Sequence, residues 1–339
     1  MIQKFKTLFI PEKREKLTIT VLPGFDCNLR CKMCYNWEMP REEFLTTENW
    51  VSLVNSLNKY NSNYKMIEVS IGGGEPYLHK YVFDIMRAAK KNGFRSNIST
   101  NGFLLTKSII DRSIEAGLTG ISISLDSLNP EIHDKYRGVK GTQKRVMKSI
   151  EYIQQTDKLE LSINTVLMKG NIDDVIPLAK WVAGTEKIAY NVQAVVEPFQ
   201  KPPKDKWYER EEYKELWPTD KKTIHKVVDG LIQLKESVFK ERMNNTVMQL
   251  QKFKEYFENP ESFIKHKGCS LTDKDAITIN PNGSVFICPF MDPVGNIQYT
   301  ELKKVLNSKK TKNTIKVMNS CTKNCHHLMN CYYKDEVEA

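Results

Sequence analysis

The sequence has no run approaching the roughly 18 apolar residues that would mark a membrane-spanning helix, so no membrane span is expected. Its first residues, MIQKFKTLFIPEKREK, hold a short apolar patch at Leu8 to Ile10. They contain neither a signal-peptide core nor a small-residue cleavage site. The expected setting is therefore the cytoplasm, where thiols stay reduced and grouped cysteines point to metal. Low-complexity tracts and long internal repeats are also missing. So is any recognised nucleic-acid motif, and no nucleic-acid partner is expected despite a net charge of +10. Lysine runs at Lys201–Lys206, Lys221–Lys222 and Lys303–Lys312 read as solvated surface. The other reading is attraction to an acidic partner.

The most informative absence is of cysteine between residues 35 and 268. The eight cysteines fall into two groups: Cys27, Cys31 and Cys34, then Cys269, Cys288, Cys321, Cys325 and Cys331. Two metal centres are the simplest account. What surrounds them is ordinary for a large-cored globular protein, at 40% hydrophobic and 27% charged residues. A length of 339 residues suggests about two domains.

The first group reads Cys27-x3-Cys31-x2-Cys34 and follows the apolar run Leu17 to Leu22, which has strand character. Three thiolates on a loop can hold three corners of a 4Fe–4S cluster, leaving one iron open to an amino-carboxylate. Half of a zinc site is an alternative, although structural zinc usually takes four ligands. Disulfides would need a secreted protein.

Apolar strands then alternate with helical patterns. Strands are expected at Met66 to Ile71, Phe94 to Ser99, Gly120 to Leu125, Leu159 to Leu167 and Ile188 to Val196. Helices are expected near Thr46, after Pro76, at Thr106 to Ala116, Gly141 to Gln155 and Ile172 to Val182. Strict alternation predicts an α/β fold, a parallel sheet with helices outside, whose polar and glycine clusters gather at the C-terminal rim. Residues 197–219 break the pattern. Trp207, Tyr208, Tyr213 and Trp217 there are read either as lid anchors or as connector aromatics packed on the barrel wall. Helices are expected at Asp220 to Glu236 and Asn245 to Phe257, and a hairpin around Pro281-Asn282-Gly283, followed by a short helix at Thr300 to Leu306. The expected organisation is an N-terminal segment at 1–16, a barrel at 17–196, a connector with helices at 197–262 and a cysteine-rich domain at 263–339.

The cysteine triplet after the first strand, with Gly73-Gly74-Glu75-Pro76 after the second, resembles the radical S-adenosylmethionine (SAM) enzymes. The resemblance covers about residues 15–196 and implies a partial (β/α)6 TIM-type barrel. It implies that Cys27, Cys31 and Cys34 bind a 4Fe–4S cluster, whose open iron is chelated by SAM. Gly73, Gly74, Glu75 and Pro76 would hold the SAM amino group, and glycines let backbone approach closely. Met33 stands where an aromatic residue is usual beside the adenine, and can still pack on a ring. By position, Ser99, Thr100, Asn101, Ser124, Asp126 and Asn164 are candidate contacts to SAM. Arg137 resembles an arginine that pairs with the SAM carboxylate.

The tail resembles the SPASM and twitch modules of part of that family. Cys269-x13-Gly283-x4-Cys288 fits their first half, and Cys321-x3-Cys325-x5-Cys331 is similar to the second, with one extra residue in its first gap. Five thiols suit one auxiliary 4Fe–4S cluster, held by Cys269, Cys288 and two of Cys321, Cys325 and Cys331. Thiolates suit such a cluster better than His326 or His327. A zinc knuckle is the alternative. The fifth thiol would be a spare, able to return a hydrogen atom to a substrate radical.

The resemblance implies reductive cleavage of SAM to a 5′-deoxyadenosyl radical, which abstracts hydrogen from a substrate. It implies a low-potential electron donor such as flavodoxin or ferredoxin. The expected substrate is a peptide or protein, cross-linked, oxidised or epimerised, and the net charge suits an acidic one loosely. The alternative is a small-molecule dehydrogenase or epimerase, for instance of a sugar. Only about 16 residues precede the first expected strand, so no separate leader-binding domain is expected.

Overall fold

The computed structural model describes residues 13–39, 45–185, 187–197, 206–261, 269 and 276–330. In chain order the barrel part runs β1 (Arg14–Val21), α1 (Thr47–Ser56), β2 (Tyr64–Ile71), α2 (Val82–Lys91), β3 (Arg95–Thr100) and α3 (Lys107–Ala116). It continues with β4 (Gly120–Ser124), α4 (Pro130–Arg137), α5 (Thr142–Thr156), β5 (Glu160–Leu167), α6 (Val175–Ala183) and β6 (Ile188–Ala194). Then follow α7 (Lys221–Leu234), α8 (Val247–Glu258), β7 (Ala276–Ile279), β8 (Ser284–Phe286), β9 (Gly295–Asn296), α9 (Leu302–Leu306) and α10 (Lys309–Asn319).

The first six strands pair in parallel with their sequence neighbours, as the alternation predicts. Parallel neighbours need crossover connections, and the usual right-handed crossover puts the intervening helices on one face of the sheet. The helices accordingly touch one another side by side, α1 on α2 and α2 on α3, then α6 on α7 and α7 on α8. Side chains alternate along each strand. In β1, Leu17, Ile19 and Val21 are buried against the helices, while Thr18 and Thr20 on the other face are only partly covered. Trp50 and Val54 of α1 and Ile85 and Met86 of α2 belong to this outer core. Each such fully buried aliphatic contributes about 1.5–3 kcal/mol.

The sheet does not close on itself, giving the partial barrel that the resemblance implies. Its free edge, β6, has no partner strand: a single backbone bridge joins Tyr190 to Met243, and Asn244 N–H donates to Tyr190 C=O at 2.9 Å, while side chains seal the rest. The Asn245 amide accepts from Val192 N–H and donates to Val192 C=O, both at 2.8 Å. Asn330 does the same for Ala194, at 2.8 and 2.9 Å. An asparagine amide thus copies one rung of a ladder where β6 has no partner strand.

At the other edge the sheet continues into the C-terminal residues. β7 lies parallel to β1, pairing Thr20 with Thr278 and Val21 with Ile279, and β8 and β9 follow antiparallel. The hairpin turn falls at Pro281-Asn282-Gly283, where the sequence predicts it. Two helices have no counterpart in the sequence reading. The eight residues of α4 are too few for an apolar stripe, yet Asn129 caps its start and Gly138 ends it. In α10 only Thr311 and Met318 are buried, so its lysines mask the period.

Candidate active site

The loop after β1 carries Cys27, Cys31 and Cys34, and the fold draws their thiols into one electrostatic neighbourhood. Burial pushes all three above the ordinary thiol value, Cys31 to about 12 against the pull of Arg137. Three thiols in a poorly solvated pocket ionise readily only beside strong positive charge, which bound iron supplies. Among the described residues no three His, Cys, Asp or Glu side chains converge on the position of one metal ion. Three cysteine thiols on one loop are the donor chemistry that an iron–sulfur cluster takes, so Cys27, Cys31 and Cys34 fit that group.

The loop is stitched down on two sides. Residues of the Gly73-Gly74-Glu75-Pro76 segment donate from Gly74 N–H to Gly24 C=O at 2.9 Å and from Glu75 N–H to Asp26 C=O at 2.7 Å. A Cβ on Gly74 would sit 2.1 Å from the Asp26 carbonyl oxygen, so this close approach requires glycine. The Gly73 carbonyl accepts from Asn36 Nδ2 at 2.7 Å. On the other side, Arg30 N–H donates to Arg137 C=O at 3.2 Å and Lys32 N–H to Tyr136 C=O at 2.9 Å, which binds the loop to the end of α4. Gly138, at φ +77°, has no room for a side chain, because a Cβ would lie 2.4 Å from the Arg30 carbonyl oxygen.

The structure brings the sequence candidates into three settings. Glu75 is fully buried, and its carboxylate accepts from Thr100 Oγ1 at 2.9 and 3.0 Å, Asn101 N–H at 2.9 Å and Tyr77 N–H at 3.2 Å. Burial raises its pKa to about 7 against those bonds. Pro76 is buried at the start of the following turn. Asn101 donates to Asn28 Oδ1 at 2.9 Å and to the Cys27 sulfur at 3.6 Å, so it reaches the thiol group itself. Ser99, Ser124 and Asn164 lie on the concave face, where Ser124 and Asn164 are register partners across β4 and β5. Met33 is half-buried against the core.

Arg137 ends α4. It is buried and grips Asp126 with two bonds, 2.7 Å from Nε and 3.0 Å from Nη2. It also donates toward the Cys31 sulfur. Asp126 accepts Val166 N–H at 3.0 Å, which links the pair to β5. Sequence reasoning did not find Asn36 or Gly138. The signals were there, an asparagine two residues past the last loop cysteine and a glycine directly after the helix-ending Tyr136-Arg137.

The described part of the irregular segment, residues 206–217, lies beside the loop. Trp207, Tyr213 and Trp217 are buried, and Trp217 packs edge-on against Tyr256 and Phe257 of α8. They anchor the segment to the wall. Lys32 Nζ reaches Glu215 at 2.6 Å, and a cavity of about 450 Å³ lies between, lined by Cys31, Cys34, Trp37, Glu38, Tyr213 and Glu215 among others.

In the tail, Cys288 lies in the electrostatic reach of Cys269 and Cys321, and burial raises its pKa. These three thiols fit the expected auxiliary cluster. Cys325 is half-buried nearby in sequence, and Cys331 lies outside the described residues. Both His326 nitrogens are engaged, Nδ1 with Trp207 Nε1–H at 3.1 Å and Nε2 with Pro260 C=O at 2.7 Å. That ring ties the aromatic segment to the tail.

Comparison with known proteins agrees with this geometry. The profile of the Radical SAM superfamily matches residues 21–182, and that of the SPASM iron–sulfur cluster-binding domain matches 269–332. An AdoMet-dependent heme synthase of Methanosarcina barkeri is 31% identical over 171 residues, 49% of this chain and 47% of the relative. The PqqA peptide cyclase of Granulibacter bethesdensis is 26% identical over 172 residues, 49% of this chain and 45% of the relative. The chain thus spans about half the length of the curated relatives it matches. Among solved structures, Streptococcus suis SuiB bound to precursor peptide SuiA superposes with a TM-score of 0.67 at 17% identity, covering 95% of this chain and 76% of that one. No helix among the described residues is long and apolar enough to cross a membrane.

Proposed function

We propose that the chain is a radical SAM protein with a C-terminal SPASM module, the two families whose profiles it matches, and that it abstracts a hydrogen atom from a peptide to modify it. When bound, a reduced 4Fe–4S cluster with SAM supplies a 5′-deoxyadenosyl radical. The chain's own part is to hold, orient and shield. Cys27, Cys31 and Cys34 would hold the cluster. Asn101 donates to Cys27, and the Arg137 guanidinium lies against Cys31, so the loop sulfurs carry fixed donors before any substrate arrives. Ser99, Ser124 and Asn164 would contact SAM from the concave face.

The observation that carries this reading is the thiol trio, Cys31 buried and Cys27 and Cys34 half-buried, on a loop clamped between the Gly73–Pro76 segment and α4. Cys269, Cys288 and Cys321, with Cys325 or Cys331, would hold one auxiliary cluster. The peptide reading is supported by the peptide named for the PqqA cyclase relative. A small-molecule reading is supported by the heme synthase relative. A low-potential flavodoxin or ferredoxin is the proposed electron donor, in the cytoplasm.

The test is anaerobic incubation of the iron-reconstituted protein with SAM and dithionite, followed by assay of 5′-deoxyadenosine. Formation of the nucleoside that is abolished by Cys31→Ala is expected. No nucleoside from a fully iron-loaded protein would refute the proposal.

A further inference from the structure

The middle of the sheet's concave face is polar, and three rows of its side chains bond to no described residue. Thr20, Ser70 and Asn97 lie side by side across β1, β2 and β3. Ser99, Ser122 and Ser162 form the next row across β3, β4 and β5, and Ser124, Asn164 and Asn191 the next across β4, β5 and β6. None of these nine side chains makes a hydrogen bond to another described residue. Two of their atoms, Asn97 Oδ1 and Ser162 Oγ, are buried with no partner at all. A buried polar atom without a partner is costly, so such a face is built to be satisfied by something that enters it.

The middle of the face is also uncharged. The face's charged residues lie at the N-terminal ends of the strands and are already paired, Lys16 with Glu68 at 2.7 Å and Arg95 with Glu160. At the rim, Glu75 and Asp126 spend their carboxylates on the protein. Between these limits every side chain on the concave face is Ser, Thr, Asn, Gln or small and apolar. Among the described residues of that stretch, no ammonium or guanidinium is placed to neutralise a phosphate or carboxylate, and no carboxylate to receive a cation.

We propose that the part of the substrate entering this lumen is uncharged and hydrogen-bonding: a peptide stretch offering backbone amides and a neutral side chain at the reacting residue. This rests on the hydrogen-abstraction reading above and narrows it. With Ser99, Ser124 and Asn164 given to SAM, the other six side chains named remain for the peptide. The lumen opposes the molecule's net charge of +10, which by itself favours anions.

The test needs no known substrate. Ser122→Cys, in the cluster-loaded protein, is treated with three methanethiosulfonates that carry a neutral hydroxyethyl, an anionic sulfonatoethyl or a cationic trimethylammonioethyl group. Modification rates at position 122 are read by peptide mass spectrometry and divided by the rates for mercaptoethanol. The neutral reagent should lead both charged ones by at least tenfold. Equal rates, or a faster anionic reagent, overturn the proposal. Asn191→Cys repeats the measurement should the first variant fold poorly. Deuterium transfer into 5′-deoxyadenosine then separates the sources. Transfer from a blocked tripeptide with a deuterated central serine supports the peptide form. Transfer from a deuterated neutral hexose keeps the neutral lumen but replaces the peptide. Comparable transfer from central aspartate or lysine overturns the proposal. Absence of nucleoside with every probe counts against the radical reading alone, because the labelling ratio is read without turnover.

Discussion

Glu75 is a fully buried carboxyl group bonded by Thr100, Asn101 and Tyr77, with a pKa raised to about 7 chiefly by burial. The folded protein therefore holds a proton there that the unfolded chain releases at lower pH. Stability from this group is full below about 4.3, the ordinary glutamate value, and is lost as pH rises through about 7. Glu75→Gln removes that decline. The melting temperature of the metal-free, reduced variant should fall less between acidic and neutral pH than that of the parent; an identical slope would show that Glu75 does not titrate in this range. Arg137 gives a second residue-level prediction. Arg137→Met strands the buried Asp126 charge, at a cost of about 3–5 kcal/mol in urea denaturation. Adding Asp126→Asn should recover most of it. Residue types at both positions were legible in the sequence, but their partners were not. The Gly73–Pro76 pattern does not reveal that Glu75 bonds back to Thr100 and Asn101, which end a different strand, nor does the sequence reveal that Arg137 at the end of α4 faces Asp126 after β4.

Among the elements, α4 sets the position of the cysteine loop. Gly138→Ala would push a methyl into the Arg30 carbonyl and shift the loop. Iron bound per chain after reconstitution should drop well below the parent's. Gly141→Ala is the control: it also has positive φ, +85°, but nothing lies within 4 Å, so it costs only about 1–2 kcal/mol and leaves iron content unchanged. Equal iron loss in both variants would refute the clamp. At the far edge, Asn245→Ala leaves the buried Val192 N–H and C=O unpaired and should destabilise the protein by about 1–3 kcal/mol, read by thermal or urea unfolding. The six parallel strands were legible because their apolar residues recur at every second position and the runs are bounded by glycine and polar clusters. The helices α4 and α10 were not, since one is short and the other buries only Thr311 and Met318. Capping residues, rather than periodicity, carried their signal.

In the whole molecule, the two cysteine groups stand on one sheet. The loop trio follows β1, and the strand paired to β1 on its other side is β7, which leads into the hairpin before Cys288. The sequence separates these groups by more than two hundred residues, and only the parallel pairing of β1 with β7 brings their elements together. Cysteine grouping made two centres legible, while the shared sheet was not, because β7 is four residues long and its hairpin signal says nothing about a third strand. The concave face between the rims shows the same division: its serines and asparagines read singly as strand residues, and only the register reveals a continuous neutral lining.

Electron paramagnetic resonance of the anaerobically reconstituted, dithionite-reduced Cys269→Ala/Cys288→Ala protein tests the central claim most directly, since Cys27, Cys31 and Cys34 then remain the one intact site. A 4Fe–4S signal that changes when SAM is added, and that disappears with Cys31→Ala, is the predicted result. A signal indifferent to SAM, or zinc in place of any cluster, would contradict it.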